Sequence, residues 1–172
     1  NQLTALNVQG LKALQELNCN TNQIPELNVQ GLTKLQKLYC QGNKLTTLNV
    51  SDCTALKELI CYSNGELSTL DAQGLTALQK LECYNNQLAT LNVRGLTALQ
   101  ELDCNTNKIP ELNVQGLTKL QQLKCGGNQL TALDVQGCTA LQNLDCGGNQ
   151  LSTLNVQGIA TLKELYCENN QL

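Results

Sequence analysis

Phenylalanine, tryptophan, methionine and histidine are missing from the 172 residues, and the aromatic content is four tyrosines. A compact core usually takes its bulk from aromatic rings. Here leucine, valine, alanine and cysteine must fill the interior, which suits a thin core built from identical layers. Enzyme chemistry lacks its parts: there is no histidine, no serine-centred motif, and no glycine-rich phosphate loop ahead of a helix. The chain is therefore expected not to be an enzyme. It also lacks an excess of basic charge. Eleven Lys and Arg stand against 14 Asp and Glu, for a net charge of −3, which removes the electrostatic footprint of a nucleic-acid binder. No apolar run approaches the roughly 20 residues of a membrane-spanning helix, so membrane insertion is not expected.

What is present is a period. Cysteines recur at Cys19, Cys40, Cys61, Cys83, Cys104, Cys125, Cys146 and Cys167, every 21 residues with one step of 22. Asparagines keep step at Asn22, Asn43, Asn64, Asn86, Asn107, Asn128, Asn149 and Asn170. A glycine column runs Gly10, Gly31, Gly74, Gly95, Gly116, Gly137, Gly158, with Asp52 as its one departure. Four-turn blocks are also duplicated. Residues 1–85 resemble 86–172, down to Pro25 with Pro110 and Cys53 with Cys138, and the first block carries one extra residue near Gly65–Glu66. There is no linker and no shift of composition, so residues 1–172 read as a single domain, with no evident cap at either end.

Around each cysteine the pattern alternates, as in Glu16-Leu17-Asn18-Cys19-Asn20. That is a half-buried strand. Parallel strands stack about 4.8 Å apart, so eight turns predict a rod roughly 38 Å long. A second alternation, such as Leu27-Asn28-Val29, predicts a short extended stretch on the far side. Gly31 then turns the chain, and Leu32 and Leu35 return it to the next strand through extended or 3₁₀ segments. The Asn column is read as structural, because a carboxamide both donates and accepts and can satisfy the backbone of the corners above and below.

Ten cysteines invite a disulfide or a metal reading. In-register neighbours have parallel Cβ vectors, which makes the disulfide dihedral of about 90° hard to reach. Zinc sites use close Cys pairs, and none occurs here. The thiols are expected to be reduced and buried as small hydrophobes, with no metal and no cofactor. Cys53 and Cys138 stand at positions that hold Leu in other turns.

The run Leu14-x-x-Leu17-x-Cys19-x-x-Asn22-x-Ile24 follows the leucine-rich-repeat pattern, with Cys in place of the third Leu. With its 21-residue turn and one Cys per strand, the chain resembles the internalin-type leucine-rich repeats of bacterial surface proteins, those of the internalin J kind with a cysteine ladder. Its wording also resembles repeat proteins of spirochaetes and Bacteroidetes. The fold expected is a β-rich, α/β-class, right-handed solenoid of about eight turns with a parallel sheet on its concave face. The resemblance implies a protein-binding module, a bacterial cell-surface adhesin or host-interaction domain located outside the cell, with a protein partner, a host surface protein being one candidate. The helical N-terminal cap and C-terminal cap domain of internalins are not seen. With such uniform repeats, a structural or consensus-designed scaffold without a dedicated ligand stays open.

Ligand binding on such a coil must lie in the residues that the repeat does not dictate. Three outward columns flank each strand core. The first, Glu16, Lys37, Glu58, Lys80, Glu101, Gln122, Asn143, Glu164, alternates in sign over five turns and reads as a self-complementary charge ladder. The second is Asn18, Tyr39, Ile60, Glu82, Asp103, Lys124, Asp145, Tyr166. The third is Asn20, Gln41, Tyr62, Tyr84, Asn105, Gly126, Gly147, Glu168. Tyr39, Ile60, Tyr62 and Tyr84 fall on consecutive turns and are expected to form one binding patch, because Tyr is enriched in hot spots. Glu82 and Asp103 make its border acidic, which would suit a basic or mixed partner. Both ends of the chain stand at the same phase of the repeat, so head-to-tail self-association is a further expectation.

Overall fold

The computed structural model describes all residues, 1–172. Ten three-residue strands form: β1 Glu16–Asn18, β2 Lys37–Tyr39, β3 Thr47–Asn49, β4 Glu58–Ile60, β5 Thr69–Asp71, β6 Lys80–Glu82, β7 Glu101–Asp103, β8 Gln122–Lys124, β9 Asn143–Asp145 and β10 Glu164–Tyr166. Eight of them make one parallel sheet in the order β1-β2-β4-β6-β7-β8-β9-β10. Its register is in step throughout, so Leu17, Leu38, Leu59, Leu81, Leu102, Leu123, Leu144 and Leu165 share one row. The repeat solenoid expected from the 21-residue spacing is thus borne out. No helix forms, so the α/β part of the expected label describes nothing in this chain.

The core is a single stack. From Leu38 to Leu144 the strand leucines are completely buried, as are the cysteines from Cys40 to Cys146. Cys53 and Cys138 are buried as well, at the Leu position where they were expected. Each thiol lies near a carbonyl of the preceding turn: Cys53 Sγ is 3.5 Å from Val29 O, and Cys138 Sγ is 3.6 Å from Val114 O.

The Asn ladder bonds as its chemistry suggested. Asn107 donates through Nδ2 to Cys83 O and Cys104 O at 3.1 and 3.0 Å, and its Oδ1 accepts the Leu88 N–H at 3.0 Å. One carboxamide therefore ties two adjacent turns and satisfies three buried backbone groups.

On the far side the second alternation makes a ladder only where β3 meets β5, plus one bridge between Asp134 and Asn155. The bend that follows is held by a side chain, as when Asn28 Oδ1 accepts the Gln30 N–H at 3.0 Å. Successive turns, Leu32 N to Val29 O and Leu35 N to Leu32 O, then return the chain. Gly116 stands in this corner at φ +79°, a left-handed conformation that suits glycine. Gly137 does not have positive φ. It is the counterpart of Asp52, and both precede the odd cysteines, Cys138 and Cys53. In these two turns the corner needs no left-handed residue, which explains why aspartate is accepted there.

A further column went unread in the sequence. The residue just before each ladder Asn is left-handed in all eight turns: Thr21, Gly42, Ser63, Asn85, Thr106, Gly127, Gly148 and Asn169. Only three of these are glycines, so no single-residue signature marked the position.

Candidate functional site

The three outward columns run as the spacing predicted. Glu16, Lys37, Glu58, Lys80 and Glu101 are direct neighbours across strands, and so are Tyr39, Ile60, Glu82 and Asp103. What the side chains do on this lattice differs from column to column.

Tyr62 and Tyr84 stack. Their ring centroids lie 4.3 Å apart with planes 10° from parallel. Both are half-buried rather than fully open to solvent. Burial, together with Tyr62, Glu82 and Asp103 nearby, pushes the Tyr84 phenol up to about 12, so it stays a neutral donor at physiological pH.

Tyr39 turns to the first column instead. Its hydroxyl donates to Glu58 Oε2 at 2.6 Å, and Lys37 Nζ lies 3.3 Å from the other oxygen of the same carboxylate. The bond from Tyr39, then Lys37, holds the Glu58 carboxyl below its ordinary range. Ile60, between Tyr39 and Glu82 in its row, is only 7% exposed and lies outside the main core. It is an apolar support within the patch, not an open contact. Of the four residues expected to form one surface, the fold stacks two, pins the third to a carboxylate and covers the fourth.

The acidic border is real but partly compensated. Lys80 Nζ lies 2.9 Å from both Glu82 Oε1 and Glu101 Oε2, so one ammonium is shared by two carboxylates. The charge ladder therefore pairs selectively, Lys37 with Glu58 and Lys80 with Glu101. Asp103 has 17% of its side chain exposed, and its nearest cation, Lys124 Nζ, is 3.8 Å away. Burial raises its carboxyl above the ordinary value, against the backbone bond from Asn105 and the pull of Lys124.

Beyond Tyr84 the third column drops to Asn105, Gly126 and Gly147. Asn105 Nδ2 reaches across Gly126 to Asp145 Oδ2 at 3.3 Å, and Asn105 Oδ1 accepts the Gly126 N–H at 2.6 Å. A Cβ on Gly126 would meet Asp145 Oδ1 at 2.9 Å. On the other flank of the stack, Gln41 Oε1 is a buried acceptor with no donor. Neither feature was anticipated; the paired Gly-Gly at 126–127 and 147–148 was its only trace in the sequence. The fourth tyrosine, Tyr166, stands exposed on β10, remote from the patch.

No cluster of three or more His, Cys, Asp or Glu is disposed to hold a metal ion. The thiols are unpaired, and burial pushes Cys61 up to about 12 and Cys53, Cys138 and Cys146 to about 11. The surface depressions are open grooves, three between turns on the far side, near Thr46–Thr47 and near Pro110, and two against the first turn, near Leu11 and near Leu6. The arrangement offers an exposed sheet face for contact rather than an enclosed chamber for chemistry.

No protein-family model matches the chain, and no curated protein matches it. Solved structures do. The functional domain of InlJ from Listeria monocytogenes, described as including a cysteine ladder, is 38% identical with a TM-score of 0.91, over 94% of this chain and 36% of that one. A leucine-rich-repeat protein of Leptospira interrogans is 30% identical with a TM-score of 0.83, over 94% of this chain and 44% of that one. A chain from the octameric complex of Latrophilin 3, Unc5D and FLRT2, whose FLRT2 part is a leucine-rich-repeat region, is 26% identical with a TM-score of 0.73, over 93% of this chain and 55% of that one. The present chain thus spans less than two thirds of each of these three chains.

Proposed function

Because this chain is an internalin-like leucine-rich-repeat solenoid with a cysteine ladder, we propose that it is a protein-binding module whose contact surface is the concave sheet around Tyr62 and Tyr84. One observation carries the reading: the only aromatic stack in the molecule lies on that face, in positions the repeat leaves free. Tyrosine combines apolar area with a polar tip at low entropic cost. That a similar repeat region occurs in a complex with other proteins supports a protein partner. The finer reading is a bacterial surface adhesin or host-interaction domain acting outside the cell, supported by the likeness to InlJ.

The test is binding of the fluorescently labelled chain to cultured mammalian cells. Saturable binding, cut severalfold by Tyr62→Ala with Tyr84→Ala while circular dichroism is unchanged, is the expected result. Equal binding by the variant would move the contact surface away from the tyrosines, and binding by neither would favour the second reading, a structural scaffold. That reading draws on the self-complementary pairing of Lys37 with Glu58 and Lys80 with Glu101.

Self-association belongs to the same proposal. In the isolated 172-residue chain Leu3 and Leu11 are exposed at one end of the stack, and Leu165, Tyr166 and Leu172 at the other. The two ends of this 172-residue stretch offer matching layers and an unpaired strand edge, so this stretch on its own is expected to associate head to tail. A single monomeric species in sedimentation up to high concentration would overturn this.

A further inference from the structure

The charge of the molecule is unevenly placed. The three outward columns of the sheet hold eight carboxylates and three lysines, a net −5, whereas the rest of the chain holds six carboxylates against eight Lys and Arg, a net +2. The acidity of the whole protein therefore resides on the face that carries the tyrosines. Opposite potentials steer encounter and select partners.

The groups left wanting on this face are all acceptors. Gln41 Oε1, one turn before Tyr62 in the third column, is buried without a donor. Asp103 is largely buried and has its only cation at 3.8 Å. Glu82 must share Lys80 with Glu101. A buried carboxylate without full pairing is unfavourable, so a donor-rich cation arriving here relieves an existing deficit. The third column also falls away after Tyr84, to Asn105 and then Gly126, so no bulky side chain follows Tyr84 in the column beside Asp103.

This inference rests on the reading of the Tyr62–Tyr84 face as a protein-binding surface and specifies what the partner must bring. We propose that the partner anchors through an arginine of a basic segment, its guanidinium laid against the Tyr84 side of the stack and paired with Asp103 and Glu82. Arginine fits better than lysine on two counts. Its plane stacks on aromatic rings, and its five N–H donors can serve several acceptors at once. A neutral glycan could stack on the rings but would leave the carboxylates uncompensated.

The test uses the intact chain, with the ring signals of its four tyrosines assigned by NMR. The probes are the peptide acetyl-Gly-Arg-Gly-Arg-Gly-amide, its glutamate counterpart, and a neutral disaccharide. The arginine peptide is expected to shift the Tyr62 and Tyr84 rings saturably and leave Tyr166 unmoved. Glu82→Gln combined with Asp103→Asn weakens it by about fivefold or more, as does raised salt. Glu82→Gln alone, at a half-exposed position, keeps the test valid should the double variant be unstable. If the glutamate peptide or the disaccharide binds the rings as well as the arginine peptide, or if the substitutions change nothing, the cationic anchor is wrong and the binding face survives. If no probe moves the rings, both readings fall.

Discussion

The backbone N–H of Asn64 donates to Oδ1 of Asn86 at 2.9 Å. In the other turns the donor to the ladder Asn lies 19 residues upstream, as Leu45 does for Asn64 and Leu88 for Asn107. Here it lies 22 upstream. The extra residue near Gly65–Glu66 enlarges the corner, and the ladder re-forms by taking a different donor. The sheet on either side keeps its register, with Glu58 opposite Lys80, so the insertion is absorbed in one corner and not passed on.

Asn86 therefore keeps a full set of ladder bonds despite its changed donor. Its Nδ2 also donates to Cys61 O and Cys83 O. Asn86→Ala orphans three buried groups and is expected to cost about 3 kcal/mol in urea unfolding, at 1–3 kcal/mol for each uncompensated group with partial relief by water. Asn86→Asp is expected to be at least as harmful, because it turns two donated bonds into oxygen facing oxygen. Asn170→Ala, in the more exposed last turn, should cost clearly less. Equal losses at both sites would show that burial is not what gives the ladder its weight.

Backbone conformation separates glycines that look alike in sequence. Gly116→Ala places a side chain at φ +79° and is expected to cost about 1 kcal/mol by strain. Gly137→Ala lies outside the left-handed region and should be near neutral, since it also removes freedom from the unfolded chain. Conversely, Thr106 is β-branched at φ +54°, so Thr106→Gly is expected to raise the melting temperature modestly. Melting curves of the three variants check the ordering, and destabilisation by Gly137→Ala as large as by Gly116→Ala would contradict it.

Gly126→Ala acts through space instead of strain. The new Cβ would displace Asp145 Oδ1, 2.9 Å away, and press on Gly147 O at 3.0 Å. The Asn105–Asp145 bond is expected to break, with a loss of roughly 1–2 kcal/mol from overpacking. Hydrogen exchange should quicken first at the Gly147 N–H, which Asp145 now holds at 3.2 Å. Unchanged protection at Gly147 would mean that Asp145 does not depend on the empty floor.

The thiols set an alkaline limit. With Cys61 raised to about 12 and Cys53, Cys138 and Cys146 to about 11, the unfolded chain, whose cysteines titrate near 8.5, loses its protons first. The stabilisation from keeping these thiols neutral is complete below about pH 8.5 and is lost as pH rises toward 11–12. Within that window each thiol contributes a loss of about 1.4 kcal/mol per pH unit. Urea midpoints should therefore fall steeply between pH 9 and 11, and less steeply in Cys61→Ala. In native protein at pH 7 a thiol reagent should label Cys167, the one thiol not fully buried, well before the rest.

The period, the parallel register, the inward rows of Leu and Cys and the bonding role of the Asn column were legible from sequence. The reason is arithmetic: when every turn has 21 residues, each side chain meets its own counterpart in the next turn, and burial and backbone satisfaction recur by position. The outward columns were legible for the same reason, as places. Their contents were not. Tyr39 and Tyr84 both stand on outward columns, yet one is tied to Glu58 and the other stacks on Tyr62. Ile60 is covered although its column faces outward, and Asn105 meets Asp145 only because Gly126 leaves the space between them open. The left-handed column was likewise decided by how the corners close. Repeat spacing sets where each Cα lies relative to its neighbours. The partner a long polar or aromatic side chain takes from there depends on rotamer, on competing charges and on the volume left by residues one and two turns away, and these exist only once the coil has closed.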